Sequence, residues 1–387
     1  MFRSVSALLL PPLLLLVLAA DDKPTSAVKA DDGFVSLFDG KTLNGWVPVN
    51  AAPGTFFVKE GMLITTGVPT GFLRSEKRYE NFILECEYMH MKPKGNSGIF
   101  VWADPMPAVG TPFTRAIEVQ VLDGLETPNY TSHGDVFAIW GATLVPDRPH
   151  PAGWMRCLPS EKRAKPAGQW NHYRIDCNDG TIQLAVNGKV VSGGTKANPR
   201  FGYLALEAEG SECRYRNLRI KELPSTRPKP QESSPEARGH RTLFTGLDLK
   251  GWEAISKEEW KVNPGANILA CVAKKGSSIK TETAYQEYEL LFDAKIPLDR
   301  KVMVYPCGMS SLPVPLVGDK ATANKWRRFT ITRRKDHLEI HEQGKPPTRL
   351  ALAQAKPVSA EIALKVDGPT EFTNLFLRLL AAKSGSE

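Results

Sequence analysis

The sequence predicts an all-β fold of two tandem antiparallel β-sandwiches joined by a Pro-rich linker, and three observations predict it. Between residues 33 and 223, short runs of alternating apolar and polar residues are separated by Gly, Pro and Asn turns. Pro and Gly are frequent, with 30 and 31 among 387 residues, whereas helical periods are few. A Pro-, Ser- and charge-rich segment, residues 224–239, separates two parts that are each long enough for a full core. An apolar fraction of 42% and a charged fraction of 24% are typical of globular proteins.

The predicted strands of the first part follow from period-two alternation and from the turns that separate them. The segments Asn178-Asp179-Gly180 and Asn187-Gly188 enclose one strand with hairpin turns, because Asn and Gly accept a positive φ. The clearest strands are residues 56–65, 81–89, 98–102, 116–122, 172–176, 182–186, 201–207 and 214–221. Many evenly spaced strands favour an antiparallel sandwich or a jelly roll.

Residues 1–20 have the pattern of a cleavable secretory signal. Arg3 precedes an apolar run over residues 7–18, and Ala19 and Ala20 are followed by two Asp residues. The run is short for a membrane span, and no later run reaches 18 apolar residues. We therefore expect a secreted or periplasmic protein without a membrane span. In such an oxidising compartment the six cysteines permit disulfides without requiring them, and no pairing is favoured.

Short sequence motifs of the first part are repeated, in the same order, after the linker. FDGKTLNGW at residues 38–46 is echoed by FTGLDLKGW at residues 244–252. The segment from Trp170 to Lys189 is likewise echoed by the segment from Trp326 to Lys345. We therefore predict that residues 33–223 form one sandwich and that residues 240–382 form a shorter, degenerate copy of it.

The two predicted copies differ most in the middle. In the first copy, this region contains GNSGIF at residues 95–100, IEVQVLDG at residues 117–124 and TSHGDVFAIWGA at residues 131–142. The matching segment of the second copy, residues 301–319, is short and has no comparable polar cluster. If one copy carries chemistry, the first is expected to do so.

Strand geometry identifies a candidate site in this middle region. Alternate residues point to opposite faces, so Ile117, Val119 and Val121 are expected in the core, with Glu118 and Gln120 on the other face. A face exposed to water would show the same pattern. Because a carboxylate beside an amide suits hydroxyl-rich ligands, we interpret this face as the floor of a carbohydrate-binding groove. Glu118 is then a catalytic candidate, and Gln120 a substrate-binding one.

A following loop adds three candidates. His133 and Asp135 lie together, with Trp140 close behind. An isolated His is usually structural, but the adjacent carboxylate leads us to consider His133 and Asp135 as catalytic candidates. Trp140 is a candidate to stack on a sugar ring through its apolar face, although ordinary packing would explain it equally well.

Two further segments contribute candidates for substrate binding. Arg74, just before a predicted strand, is suited to pair with a carboxylate or with a substrate oxygen. Glu207 and Glu209 end the strand-like run that begins at Tyr203, and both are candidates for the same groove.

Six motifs carry a resemblance to a known family. They are GFVSLFDGKTLNGW (33–46), GNSGIF (95–100), EVQVLD (118–123), PAGQWNHYRI (166–175), NGK (187–189) and RNLRIKEL (216–223). Together they resemble the 3-keto-disaccharide hydrolase domain family. Over residues 242–380 the likeness is limited to FTGLDLKGW and the strand pattern.

The resemblance implies a fold, an activity and a set of residues. The fold is a concanavalin A-like jelly roll in each part, whose concave sheet forms a sugar-sized groove. The implied activity is cleavage of glycosides whose sugar is oxidised at C3. The positions that match the family's acidic strand and its Asn-Ser-Gly turn are Glu118, Gln120, Asp123, Asn96 and Ser97. Where the family often has Asp-His-Gly near the last strands, this sequence has Ala208-Glu209-Gly210, without the His.

The spacing of carboxylates disfavours an ordinary glucanase mechanism. A retaining enzyme needs two close carboxylates, on this fold normally at i and i+4 of one strand, but the residue four positions after Glu118 is Leu122. A 3-keto sugar removes that need. Its carbonyl acidifies the C2 proton, so a single base starts an elimination at C1, and water then adds back.

The residues suggest roles in this elimination without deciding between them. Glu118 or His133 is the expected base, and Arg74 or a bound divalent cation is the expected partner of the enolate oxygen. The alternative function is that of a non-catalytic, lectin-like carbohydrate-binding protein, because jelly rolls serve both classes.

The formal net charge of +8 is unevenly distributed, with the excess in the second half of the chain. Its densest cluster, Arg327, Arg328, Arg333, Arg334 and Lys335, lies in a strand-like stretch without a nucleic-acid-binding motif. We therefore interpret the cluster as a solvated strand face and expect no nucleic-acid partner.

Overall fold

The computed structural model describes residues 32–273, 276–352 and 359–380. Within them, runs of alternating apolar and polar residues form β-strands. The expected secretory signal at residues 1–20 lies outside the described residues. Helical structure among the described residues is limited to two 3₁₀ turns, Pro230–Glu232 and Lys257–Glu259. In that part of the chain, none of the helices has the length and apolar character needed to cross a membrane.

The first sandwich is formed by strands β1 to β16. They are β1 (Val35–Ser36), β2 (Trp46–Val49), β3 (Phe56–Lys59), β4 (Met62–Thr65), β5 (Gly71–Tyr79), β6 (Phe82–His90), β7 (Asn96–Ala103), β8 (Ala116–Leu122), β9 (Val136–Ile139), β10 (Thr143–Pro146), β11 (Arg156–Cys157), β12 (Asn171–Asn178), β13 (Thr181–Val186), β14 (Lys189–Asn198), β15 (Gly202–Ala208) and β16 (Cys213–Glu222). Sheet A has the order β10-β14-β13-β12-β6-β16-β4-β3, with β1 beside β16. Sheet B has the order β11-β9-β8-β7-β15-β5-β2, and all pairings are antiparallel.

The two sheets enclose one apolar core. Sheet A contributes buried side chains such as Leu84 and Ile175, and sheet B contributes Ile99, Val119 and Leu206. Because side chains alternate along a strand, the residues between these in sheet B lie on its outer face. That outer face carries the candidate site.

The second sandwich is formed by strands β17 to β29. They are β17 (Arg241–Thr242), β18 (Trp252–Ala254), β19 (Trp260–Asn263), β20 (Ile268–Cys271), β21 (Ser277–Tyr285), β22 (Tyr288–Lys295), β23 (Lys301–Tyr305), β24 (Val314–Val317), β25 (Trp326–Arg333), β26 (His337–Glu342), β27 (Thr348–Ala351), β28 (Ala360–Val366) and β29 (Thr370–Leu379). Sheet C has the order β19-β20-β29-β22-β25-β26-β27, with β17 beside β29. Sheet D has the order β18-β21-β28-β23-β24.

The strand orders of the two sandwiches correspond. In sheet A, the run β13-β12-β6-β16-β4-β3 has the same chain connectivity as β26-β25-β22-β29-β20-β19 in sheet C. In sheet B, β8-β7-β15-β5-β2 corresponds in the same way to β24-β23-β28-β21-β18 in sheet D. Among the described residues, β9 and β11 of sheet B have no counterpart in sheet D, and they belong to the longer middle region of the first sandwich. That the second sandwich is a degenerate copy of the first stays a prediction.

The second sandwich packs against the outer face of sheet B. Phe376 of β29 is 1% exposed and joins an apolar cluster with Phe72, Phe100 and Tyr203 of the first sandwich. Residues from Phe34 onward form one compact unit. Part of the face that the sequence predicts as an open groove is therefore covered by the second half of the chain.

The segment predicted as a linker is packed along the first sandwich. Arg78 donates from Nη1 to the Ser234 carbonyl at 2.9 Å, and the amide of Ala237 donates to the Tyr203 hydroxyl at 2.9 Å. Arg200 and Glu232 form an ion pair at 3.0 Å. Residues 224–239 thus connect the sandwiches without acting as a loose tether.

The basic cluster of β25 is occupied by internal contacts. Arg328 forms an ion pair with Asp293 at 2.7 Å, and Arg334 one with Glu287 at 3.4 Å. Arg333 donates to the Tyr285 carbonyl at 2.8 Å. These arginines therefore stabilise the sandwich and its interface, rather than only lining a solvated face.

All six cysteines are free thiols, and Cys307 alone among them is partly exposed. Burial raises the pKa of the Cys213 thiol to about 12, because the thiolate would lose its hydration. The same effect raises the pKa of Cys86. Buried thiols of this kind act as small apolar side chains.

Candidate functional site

The candidate site is built on β8, along which apolar side chains facing the core alternate with polar side chains on the outer face. Ile117, Val119 and Val121 pack inside the sandwich. Glu118 and Gln120 lie on the outer face of sheet B, yet they are only 7% and 6% exposed. The face is therefore covered by neighbouring groups, which gives Glu118 a different environment from that of an ordinary surface carboxylate.

Gly98 of the adjacent strand β7 makes room for two carboxyl groups. A Cβ atom at this position would lie 2.8 Å from Glu118 Oε1 and 3.0 Å from Glu207 Oε2. Glu118 comes from β8, and Glu207 comes from β15 on the other side of β7. The missing side chain at Gly98 therefore allows Glu118 and Glu207 to converge above it.

Glu207 and Glu209 extend this arrangement along β15. Glu207 is 1% exposed, and its Oε2 has no hydrogen-bond partner among the described residues. Glu209 accepts a hydrogen bond from the Asn96 amide, and its negative charge acts on the neighbouring Glu207 carboxyl group. The Gln120 amide donates to Asn96 Oδ1 at 2.9 Å. We call Glu118, Glu207 and Glu209 the carboxyl cluster, and Asn96 and Gln120 are its amide partners.

Burial and mutual repulsion keep the carboxyl cluster protonated to unusually high pH. Burial is the largest cause that raises the pKa of Glu118 to about 8, and the negative charge of Glu209 adds to it. The pKa of Glu207 is raised well above its usual range by burial and then by Glu118. Burial also raises the pKa of Glu209, although its hydrogen bonds oppose the effect. Glu118 can therefore both hold and release a proton near neutral pH.

A partly buried arginine lies next to the cluster. Arg156 of β11 approaches Asp135 Oδ2 to 3.3 Å and Gln120 Oε1 to 3.5 Å. Its guanidinium also lies 3.6 Å from the centre of the Phe137 ring. The Arg156 charge opposes the rise in the pKa of Glu118. The cation of this site is thus Arg156, a residue that the sequence analysis did not select.

Asp135, a predicted catalytic residue, is fully buried and holds this arginine in place. Its carboxylate accepts hydrogen bonds from the amide of Thr131 at 3.0 Å and from the Thr131 hydroxyl at 2.6 Å. Burial raises the pKa of Asp135, and these bonds together with Arg156 oppose the rise. The geometry therefore gives Asp135 the position of a support for Arg156.

Two other predicted site residues make contacts outside the cluster. His133 places Nε2 2.7 Å from Glu126 Oε1, and Glu126 also pairs with Lys162. Asp123 accepts hydrogen bonds from the backbone amides of Lys94 at 3.0 Å and Ala167 at 2.8 Å. These contacts connect loops around the site.

Arg74 and Trp140 lie towards the second sandwich. Arg74 is 5% exposed, donates to the Ser75 carbonyl at 2.9 Å and lies 4.8 Å from the centre of the Tyr203 ring. Trp140 is half exposed and stacks on Phe113. The structure thus brings together Glu118, Gln120, Asn96 and Glu207 from the sequence-predicted set, and places His133, Asp123, Arg74 and Trp140 in other surroundings.

The carboxyl group that pairs with Glu118 lies on a different strand. Leu122 does occupy the position four residues after Glu118, so β8 alone supplies no second carboxylate. The second carboxyl group comes instead from β15, through Glu207. Pairing between strands that are distant in sequence creates this arrangement, and no spacing within β8 could have revealed it. The alternation of Glu207 and Glu209 was an available signal, as was Gly98 in the Asn-Ser-Gly motif, which begins strand β7 and does not form the expected turn.

Among the described residues, no group of three or more His, Cys, Asp or Glu side chains is arranged to hold a metal ion. Within the carboxyl cluster, Glu209 accepts a hydrogen bond from the Asn96 amide, and Gln120 in turn donates to Asn96.

The model of the 3-keto-alpha-glucoside-1,2-lyase-like domain family matches residues 33–221. The match coincides with the first sandwich and ends before the second, which agrees with the weak motif likeness beyond the linker. The carboxyl cluster, Asn96 and Gln120 all lie inside the matched residues.

A curated relative and two solved structures are similar to parts of this chain. The 3-keto-disaccharide hydrolase of Bacteroides thetaiotaomicron is 28% identical over 170 residues, covering 39% of this chain and 54% of the relative. The chain thus spans about half the length of that relative. A candidate glycosyl hydrolase from Parabacteroides distasonis has 21% identity and a TM-score of 0.39, covering 50% of this chain and 94% of its own. The carbohydrate-binding module CBM66 from Bacillus subtilis has 11% identity and a TM-score of 0.35, covering 46% of this chain and 96% of its own.

Proposed function

We propose that the first sandwich is exported and cleaves 3-keto-glycosides by elimination of the C1 substituent. The observation that carries this proposal is the convergence of Glu118 and Glu207 above Gly98, with Arg156 beside them. The family described as 3-keto-alpha-glucoside-1,2-lyase-like and the name of the relative support the same substrate class.

Glu118 is the proposed base. A general base works best when its pKa lies near the operating pH, and burial raises the pKa of Glu118 to about 8. Ionised Glu118 takes the proton from C2, and the C–H electron pair forms the C2–C3 double bond of an enolate. The negative charge then resides on the former C3 carbonyl oxygen.

Arg156 is the proposed partner of that oxygen, with the Gln120 amide beside it. A preorganised cation in a site with little water stabilises developing negative charge strongly. Its distance of 3.3 Å from Asp135 keeps the guanidinium in a defined position. Arg156 takes the role that the sequence analysis assigned to Arg74 or to a divalent cation, because Arg74 faces Tyr203.

Glu207 is the proposed acid for the leaving group. When the enolate returns to the ketone, the C1–C2 double bond forms, the C1–O bond breaks, and the leaving oxygen takes the proton of Glu207. The raised pKa of Glu207 keeps that proton available, and the negative charge of Glu209 helps to raise that pKa. Addition of water across the C1–C2 double bond then completes a net hydrolysis.

The test compares a chromogenic 3-keto-glucoside with its unoxidised counterpart, using the full chain. We expect release of the aglycone from the 3-keto substrate only, a slower reaction when C2 carries deuterium, and deuterium at C2 of the hydrated product in deuterated water. Glu118→Gln should lower turnover at least ~100-fold, the usual scale for loss of a general base. The matched control is Glu87→Gln, because Glu87 pairs with Arg216 on sheet A, away from the site.

Two other outcomes would reject the elimination. Cleavage of the unoxidised glucoside with full retention of the C2 label would indicate a conventional glycosidase, which the paired carboxyl groups of Glu118 and Glu207 also permit in principle. Binding of both sugars without cleavage of either would indicate the lectin-like, carbohydrate-binding alternative.

Export is supported by the sequence pattern of residues 1–20. We expect the mature protein to begin near Asp21 and to be found outside the cytoplasm. N-terminal sequencing of the protein recovered from cell fractions tests this, and an intact Met1 in a cytoplasmic fraction would contradict it.

A further inference from the structure

A cavity lies where the two sandwiches and the connecting segment meet. Its volume is about 410 Å³, which is within the range of small-ligand pockets. Trp140 and Arg115 line it from the first sandwich, Arg238 from the connecting segment, and Arg328 and Gln343 from the second sandwich. The cavity therefore exists only because the two halves of the chain pack together.

Trp140 gives this cavity an aromatic wall. The indole is 51% exposed, and Phe113 lies against it with the ring planes 14° apart and the ring centres 6.3 Å apart. Its backbone has a φ of +49°, which is costly for a bulky residue and is found mainly where the surroundings impose it. One face of the ring is thus supported by Phe113, while the side chain remains accessible from the cavity.

The cations around the cavity are already neutralised. Arg115 forms two hydrogen bonds with Asp104 at 3.0 and 2.9 Å, and Arg328 forms an ion pair with Asp293 at 2.7 Å. Arg238 pairs with Glu289 at 2.7 Å. The ion pairs hold the guanidinium groups in fixed orientations and leave little net charge at the cavity. The cavity therefore does not suit a phosphate or another anion.

We propose that this cavity binds one sugar ring of a neutral oligosaccharide, stacked on Trp140, as a site separate from the carboxyl cluster. An accessible aromatic ring presents an apolar face to the C–H side of a sugar, and the surrounding paired groups can hydrogen-bond its hydroxyls. The second sandwich then has a binding role as well as a structural one, through Arg328 and Gln343. This inference is independent of the proposed reaction, because it needs no chemistry at Glu118.

The experiment titrates the full chain with maltotetraose, cellotetraose and laminaritetraose by isothermal calorimetry. We expect at least one of them to bind, Trp140→Ala to weaken that binding at least ~10-fold, and Trp140→Phe to retain most of it. The matched control is Trp154→Ala, because Trp154 is also half exposed but stacks on His150 outside the cavity. Thermal unfolding of each variant confirms that it is folded.

Three results would overturn the proposal. They are absence of binding for all three oligosaccharides, equal binding by wild type and Trp140→Ala, and equal losses in Trp140→Ala and Trp154→Ala. Glu118→Gln is titrated in parallel, since loss of binding in that variant would place the oligosaccharide at the carboxyl cluster instead. Failure of catalysis would leave these binding results unchanged, so the two proposals are tested separately.

Discussion

Burial gives Glu118 its chemical character. On an open strand face the carboxyl group would be ionised at neutral pH, whereas here it is 7% exposed and its pKa is raised to about 8. The amide of Gln120 and the guanidinium of Arg156 leave it in a polar setting that little water reaches. A residue held in this way exchanges a proton within the range of pH at which enzymes work.

We predict that Glu118→Gln weakens the pH dependence of stability between pH 5 and pH 8. The ordinary pKa of this group is 4.5 and its folded value is about 8, so the folded state binds the proton more tightly than the unfolded chain does. Its contribution to stability is fully present below the unfolded value and is lost as the pH rises through the folded value. Urea unfolding at pH 5, 6.5 and 8 measures the change.

The variant removes one titrating carboxyl group, while Glu207 and Glu209 still shift stability in the same direction. We therefore expect a smaller fall with pH, not a flat line. Glu87→Gln serves as the control for the loss of a carboxyl group outside the site. An identical slope in wild type and Glu118→Gln would mean that the carboxyl group of Glu118 titrates normally.

At the scale of the strand, three neighbours share the construction of the site. β8 provides Glu118 and Gln120, β15 provides Glu207, and β7 between them provides Asn96 and Gly98. The central strand contributes by having no side chain at Gly98, where the carboxyl groups of both neighbours meet. A sheet can thus assemble a carboxyl pair that is far apart in sequence.

We predict that Gly98→Ala lowers turnover at least ~10-fold, because a 1 Å displacement of reacting groups is costly in an active site. The new methyl group would lie 2.8 Å from Glu118 Oε1 and 3.0 Å from Glu207 Oε2, so both side chains must move. Stability should change little, since the atoms that give way are the ends of side chains. Assays with the 3-keto-glucoside and thermal unfolding together separate the two effects.

Gly265→Ala is the matched control. Its Cβ would make an ordinary contact of 3.6 Å with Asn263 in the second sandwich, so activity and stability should remain close to those of wild type. Full activity in Gly98→Ala would mean that the carboxyl groups do not need to meet above β7.

At the scale of the whole molecule, a buried polar network joins the two sandwiches. Asp293 of the second sandwich is fully buried, pairs with Arg328 and accepts a hydrogen bond from the amide of Gly110 in the first sandwich at 2.9 Å. Asn374 donates to Asp293 at 2.7 Å and accepts a hydrogen bond from Asn50 of the first sandwich at 2.7 Å. With the apolar cluster around Phe376, these contacts make separate folding of the two halves unfavourable.

We predict that Asp293→Ala destabilises the whole protein by about 3–5 kcal/mol, the cost of breaking one side of a buried ion pair. The substitution leaves the Arg328 guanidinium without its carboxylate and the Gly110 amide without its acceptor. Denaturant unfolding should still show one transition, at a lower midpoint.

The control for this prediction is Asp336→Ala in the same sandwich. The side chain of Asp336 is 71% exposed and pairs with His337 and Arg349, so its loss should lower stability far less than Asp293→Ala does. Equal losses in the two variants, or two separate transitions in Asp293→Ala, would show that the sandwiches are not energetically joined.

Local patterns were sufficient to predict much of the fold. Alternation placed β8 at residues 116–122, in agreement with the observed Ala116–Leu122, and it put Glu118 and Gln120 on the face away from the core. Predicted residues 56–65 are instead two strands, β3 and β4, because Glu60 and Gly61 both adopt a positive φ and form a turn. Side-chain alternation depends on backbone geometry alone, so it can be read from a short stretch of sequence.

The sequence by itself determined the all-β class, the division at residues 224–239, and a polar outer face on β8. Tertiary structure decided the rest. Glu207 and Arg156 meet Glu118 only through pairing of strands distant in the chain, and Arg74 and Trp140 face the second sandwich only because sheet C covers part of sheet B. Strand period is a local property of the backbone, whereas the neighbours of an outward-facing side chain depend on strand order and packing, which no local pattern encodes.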